Sequence, residues 1–144
     1  MSYILTDAIS FLLSRIQARM KNLFLKKLKK YHLTPEQWVL LAKLSEREGI
    51  SPTELSFVSL RDKPYTTRLI DKLAESKLII KEESQNDRRS SLIYLTKQGA
   101  QIKSEIIPIA DEINDCLVEN MNEKEIEQLK SLLHKMYDNI QAHS

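Results

Sequence analysis

In the stretch Asp62-Lys63-Pro64-Tyr65-Thr66-Thr67-Arg68-Leu69-Ile70-Asp71-Lys72-Leu73, the apolar residues Leu69, Ile70 and Leu73 fall at i, i+1 and i+4. That spacing predicts a helix over about 64–76 with one face turned inward. Its outer face then displays Tyr65, Thr67, Arg68, Asp71 and Lys72, with Lys63 and Pro64 at the N-terminal end. Hydroxyls and cations so arranged can bond base edges or phosphates, and the helix N-terminus itself favours a phosphate. A second group, Asp87-Arg88-Arg89, sits in the polar turn Ser84-Gln85-Asn86-Asp87-Arg88-Arg89-Ser90. A narrow minor groove concentrates negative potential, and a guanidinium entering it gains more than a hydrated ammonium does. Asp87 either restrains the arginine side chains or caps the turn. The plainer alternative is a charged, solvated hairpin tip.

Other chemistry finds little support. The chain has 144 residues, 2 glycines, 4 prolines and one cysteine. It has no phosphate-cradling glycine motif, since Gly49 and Gly99 stand alone, and no nucleophile elbow or HExxH sequence. His32, His134 and His143 lack ligand spacing, and Cys116 cannot form an internal disulfide, so neither a metal nor another cofactor is expected. The neighbours of Cys116, among them Asp115, Glu112 and Glu119, are the opposite of the electropositive setting that activates a thiol. No run approaches the roughly 20 apolar residues that span a bilayer. A soluble, unexported protein of a reducing cytoplasm is expected, without membrane partners and without enzymatic activity.

The charge is unevenly shared. Residues 1–103 hold 19 Lys+Arg against 11 Asp+Glu, a net +8, whereas residues 104–144 hold 3 against 9, a net −6. The positioning elements follow the same division. Leu5, Ile9, Leu12, Leu13, Ile16, Met20, Leu23, Phe24 and Leu28 make one stripe of a long helix over 4–31. Its other face carries Arg15, Arg19, Lys21, Lys26, Lys27, Lys29 and Lys30, as a solvated face or as an attractor of phosphate. Thr34-Pro35-Glu36-Gln37, Ser51-Pro52-Thr53-Glu54 and Asn122-Glu123-Lys124-Glu125 read as capping boxes or close relatives of them. They start helices over about 35–47, ended by Gly49, over 52–60 and over 123–141. Residues 78–83 and 91–95 read as a hairpin, and Thr96 caps a helix bent at Pro108.

This order predicts a mainly α chain with a small β-hairpin wing: a winged helix-turn-helix over 31–100, flanked by N- and C-terminal dimerisation helices from 1–30 and 101–144. In that arrangement the 64–76 helix enters the major groove of double-stranded DNA and the hairpin reaches the neighbouring minor groove.

Tyr65-Thr66-Thr67-Arg68-Leu69-Ile70-Asp71-Lys72-Leu73, then Leu78-Ile79, then Asp87-Arg88-Arg89-Ser90-Ser91-Leu92-Ile93-Tyr94-Leu95-Thr96-Lys97-Gln98-Gly99, resembles the MarR family of bacterial transcriptional regulators. The resemblance implies that Arg89 is the wing-tip arginine of the minor groove, that Asp87 is its partner, and that Thr67 and Arg68 lie on the recognition helix. Three positions depart from the family pattern: Lys77 replaces a glycine, Thr66 a core valine, and Ser59-Leu60 a Leu-Gly corner.

One helix-turn-helix contacts few base pairs, so specific binding calls for two copies on half-sites about 34 Å apart. Leu5, Ile9 and Leu12, with Ile113, Leu117, Leu129, Leu133, Met136 and Ile140, exceed the needs of a small winged domain and are expected at a homodimer interface. The alternative is packing within one chain. The resemblance also implies a repressor released by a small aromatic or lipophilic effector, in a crevice that Arg15, Arg19, His32 and Trp38 can line; each of these also has a plain structural reading. The expected function is sequence-specific, with an inverted-repeat operator in the bacterial cytoplasm and nucleoid association when DNA is bound. The alternative is a winged-helix protein-interaction module, against which Arg88 and Arg89 count.

Overall fold

The computed structural model describes residues 7–59, 61–83 and 91–144. Leu5, Leu60 and the tip residues Asp87, Arg88 and Arg89 therefore lie outside the described residues. Helix α1 spans Ile9–Leu28, α2 Pro35–Lys43, α3 Pro52–Val58 and α4 Lys63–Glu75. Strands β1 (Ile79–Glu83) and β2 (Ser91–Leu95) follow, then α5 (Lys97–Leu117) and α6 (Glu123–Ala142). Residues up to Ala110 form one compact unit and Asp111–Ser144 a second.

The helix starts follow the capping chemistry. Thr34 and Gln37 exchange both bonds of a capping box, as do Asn122 and Glu125. Ser51 accepts from the Glu54 N–H at 3.1 Å, and Asp62 accepts from the Tyr65 N–H at 2.8 Å. Thr96 serves two elements: its hydroxyl donates to the Lys77 carbonyl at 2.7 Å and accepts from the Gly99 N–H at 3.0 Å.

Two helices end earlier than their periodicity suggests. The first gives way after Leu28 to a 3-10 turn over Lys29–Tyr31, closed by His32 with a left-handed φ of 57°. Helix α2 stops at Lys43 instead of continuing to 47. Leu44 is already extended, its carbonyl accepts from the Lys103 ammonium at 2.9 Å, and the Ser45 carbonyl accepts from the Leu95 N–H. Tertiary bonds thus draw the chain out of the helix. Gly49 is not a helix cap; a Cβ there would lie 2.6 Å from the Tyr94 ring, so glycine permits the close approach of β2.

Beside it, Ile50 makes an isolated antiparallel bridge to Ile93 of the β1–β2 hairpin, whose register runs from Ile79↔Leu95 to Glu83↔Ser91. The turn from α4 into β1 is a Schellman motif made without glycine. The Leu78 N–H bonds the Leu73 carbonyl, the Lys77 N–H bonds the Ala74 carbonyl, and Lys77 holds φ at 62°. Leu73 and Leu78 are both buried, which supplies the motif's apolar contact.

The core of the first unit gathers Leu28, Trp38, Leu40, Leu41, Leu44, Leu55, Leu69, Ile70, Leu73, Leu78, Ile79, Ile93, Leu95 and Ile106. Thr66 stands fully buried beside these residues, and its hydroxyl oxygen has no hydrogen-bond partner among the described residues.

Candidate nucleic-acid interface

Helix α4 is anchored through Thr66, Leu69, Ile70 and Leu73, all buried. The opposite positions Thr67, Arg68, Asp71 and Lys72 are exposed, as are Lys63 and Pro64 in its first turn. The Thr67 hydroxyl donates to the Lys63 carbonyl at 2.9 Å, so what it retains toward a ligand is acceptor capacity.

Tyr65 departs from the reading that set it on the outer face. It is half-buried and packs against the core cluster, and the guanidinium carbons of Arg61 and Arg68 lie 5.6 and 5.7 Å from its ring centroid. Arg61 precedes the helix and was not among the residues singled out from sequence. Its signal was position alone, four residues before an aromatic and seven before Arg68.

Lys81 was also missed. Its ammonium lies 2.5 Å from the Asp71 carboxylate, linking β1 to α4. The two residues are ten apart in sequence and in different elements, so no periodicity rule brings them together. A crevice of about 460 Å³ opens here, lined by Ser51 and Thr53 at the start of α3, Lys63 and Thr67 on α4, Lys81 on β1 and Ser91 on β2.

A further ion pair joins α1 to α2, with the Lys21 ammonium 2.8 Å from Glu36. Burial alone would raise the Glu36 carboxyl. The bond from Lys21, a backbone hydrogen bond and the charges of Lys21 and Arg61 outweigh it, holding the group below the ordinary value of 4.5. The same bond raises the Lys21 ammonium.

The apolar stripes lie open. On α1, Ile9 is 62 % exposed and Leu12 is exposed as well. On α6 no residue is buried; Leu129 and Leu133 are exposed, Met136 is half-buried and Ile140 is 69 % exposed. Leu117 is exposed, whereas Ile113 is buried. Of the four residues suggested for an effector crevice, Trp38 belongs to the core cluster, while Arg15, Arg19 and His32 are exposed. Among the described residues no helix is long and apolar enough to cross a membrane.

The MarR family model matches residues 33–91, from Leu33 ahead of α2 to the first residue of β2. Over 92 % of this chain and 98 % of the other, the fold also matches a crystal structure of an S. aureus MepR–DNA complex, with a TM-score of 0.88 and 29 % identity.

Residues 33–91 carry a MarR-family domain.

Other similar proteins extend the likeness over nearly the whole chain. The transcriptional repressor NicR of Pseudomonas putida is 26 % identical over 136 residues, covering 94 % of this chain and 86 % of NicR. A structure of Bordetella bronchiseptica BpsR, whose DNA binding is regulated by 6-hydroxynicotinic acid, matches with a TM-score of 0.88 at 26 % identity. It covers 96 % of this chain and 99 % of BpsR. The chain thus shares the winged helix-turn-helix fold of these regulators and carries a MarR-family domain within it.

Proposed function

We propose that this protein is a sequence-specific DNA-binding repressor that acts as a homodimer on an inverted-repeat operator. The observation that carries this reading is the division of α4 into a buried face (Leu69, Ile70, Leu73) and an exposed polar face (Thr67, Arg68, Lys72), with Lys63 at its N-terminal end. A helix so presented fits the major groove, where Thr67 and Arg68 meet base edges or phosphates and Lys63 and Lys72 meet the backbone. The crevice beside it, with Lys63, Thr67 and Thr53 on its walls, suits an anionic backbone as well. Residues 31–100 form the DNA-binding domain in this reading, and Asp87, Arg88 and Arg89 at the wing tip enter the adjacent minor groove.

The dimerisation domain is formed by residues 1–30 and 101–144. Two long helices with uncovered leucine and isoleucine stripes support it, because exposed apolar surface on this scale marks an interaction site. A small aromatic or lipophilic acid as effector is supported by the likeness to BpsR, with Arg15 and Arg19 as the cations available to its carboxylate and His32 and Trp38 as further lining. Such a ligand releases DNA only if it binds better to a conformation in which the two α4 helices no longer match the half-sites.

Selection of duplexes from a random pool tests the reading. Enrichment of an inverted repeat with half-sites about one helical turn apart supports it. Recovery of no sequence above the starting pool would contradict it.

A further inference from the structure

We propose that Tyr65 is the positioning residue for Arg68, its ring serving as a fixed platform that holds the guanidinium ready for DNA. The inference rests on the DNA-binding reading above and adds a role for a residue that need not touch DNA itself.

Tyr65 and Arg68 are three residues apart on α4, the spacing at which helical side chains meet. The ring is not free to follow the cation. Tyr65 is half-buried, packs against the core, and lies in the first turn, where Asp62 accepts from its backbone N–H. Arg68 is exposed, and the carbon of its guanidinium lies 5.7 Å from the ring centroid, within cation–π range. A long arginine free in water samples many rotamers, and ordering it on binding opposes association. A rigid aromatic face that orders it beforehand removes part of that opposition.

The choice of an aromatic partner matters chemically. A carboxylate would occupy the guanidinium donors and cancel the charge, as Asp71 does for the Lys81 ammonium. A ring face attracts the cation through its quadrupole and leaves the in-plane N–H donors for a phosphate or a guanine edge. Arg61 shares the same ring at 5.6 Å, so two like charges are drawn to one platform.

The test compares Tyr65→Phe, which keeps the ring, with Tyr65→Leu, which removes it, each alone and with Arg68→Ala. The probe is a duplex of about 30 base pairs selected from a random pool by the wild-type chain, long enough for two half-sites. Tyr65→Phe is expected to bind within about twofold of wild type, and Tyr65→Leu about three- to tenfold more weakly. In the Arg68→Ala background, Tyr65→Leu is expected to add no further loss. Wild-type affinity in Tyr65→Leu, or equal losses in both Tyr65 variants, would overturn the proposal. So would a loss carried over in full to the Arg68→Ala background, since that would mark general damage to α4. If the wild-type chain selects no duplex, the DNA-binding reading itself fails and this inference falls with it.

Discussion

The ammonium of Lys81 on β1 sits 2.5 Å from the carboxylate of Asp71 on α4, so the base of the wing is tied directly to the helix that carries Thr67 and Arg68. Both side chains remain partly exposed, which limits the stabilisation an ion pair can give. Its structural consequence is orientation: the strand leading to Asp87, Arg88 and Arg89 leaves α4 along a defined path. Lys81 is also taken out of the pool of free cations, whereas Arg68 is left with its donors available.

A double-mutant cycle with Asp71→Ala and Lys81→Ala should return a coupling of about 0.2–1 kcal/mol in urea denaturation at low salt. The coupling should shrink toward zero at about 1 M salt, where the Debye length falls to roughly 3 Å. Additive single mutants at low salt would show that the pair does not hold.

The Lys21–Glu36 pair gives stability a pH dependence. The Glu36 carboxyl is lowered in the folded chain, so its contribution is present above the ordinary value of 4.5 and is lost as pH falls through the folded value. Lys21 is raised, so its contribution is complete below 10.5 and disappears as pH rises beyond it. Glu36→Gln should therefore be less stable than wild type near neutrality, with the difference closing as both are acidified below 4.5. Parallel urea midpoints across that range would contradict the ion-pair assignment.

Thr66 is fully buried beside a core made mainly of leucine and isoleucine, and its hydroxyl has no partner among the described residues. Thr66→Val keeps the shape and removes the orphaned group. A gain of about 1–2 kcal/mol is expected from thermal or urea unfolding. A loss on substitution would mean that the hydroxyl has a partner in solution.

Two backbone positions should respond in opposite directions. A Cβ at Gly99 would lie 2.0 Å from the Leu78 carbonyl oxygen, a backbone atom that cannot swing aside, so Gly99→Ala should lose about 1–3 kcal/mol. Lys77 occupies a left-handed position with a Cβ, so Lys77→Gly should gain up to about 1 kcal/mol. Both are read from melting curves, and the reverse order of stability would refute the geometry of the α4–β1 turn.

Among the residues proposed to touch DNA, Arg89→Ala should weaken binding to all duplexes, while Thr67→Ala should alter base preference more than overall affinity. Competition between the selected duplex and single-base variants separates the two effects. Unchanged binding by both variants would remove the residue assignments.

Much of this architecture was legible in the residues. Thr34, Ser51, Asp62 and Asn122 fix helix starts through local chemistry, and local chemistry can be read along a chain. The inward set Leu69, Ile70 and Leu73 needed only the helical period. What escaped depends on partners distant in sequence. Helix α2 stops early because Lys103 and Leu95 claim the carbonyls of Leu44 and Ser45, and Gly49 answers to Tyr94. The same holds for the interface: Arg68 and Thr67 were visible by spacing, while Lys81 against Asp71 and Arg61 over Tyr65 required the folded chain.

The most direct measurement is an equilibrium titration of the wild-type chain against the selected duplex at salt concentrations from about 50 to 200 mM. If Arg68, Lys63, Lys72 and the wing displace counterions from phosphates, log K should fall linearly with log salt, with a slope near −0.9 for each phosphate engaged. A slope of several units is expected. A flat response would contradict the proposed interface.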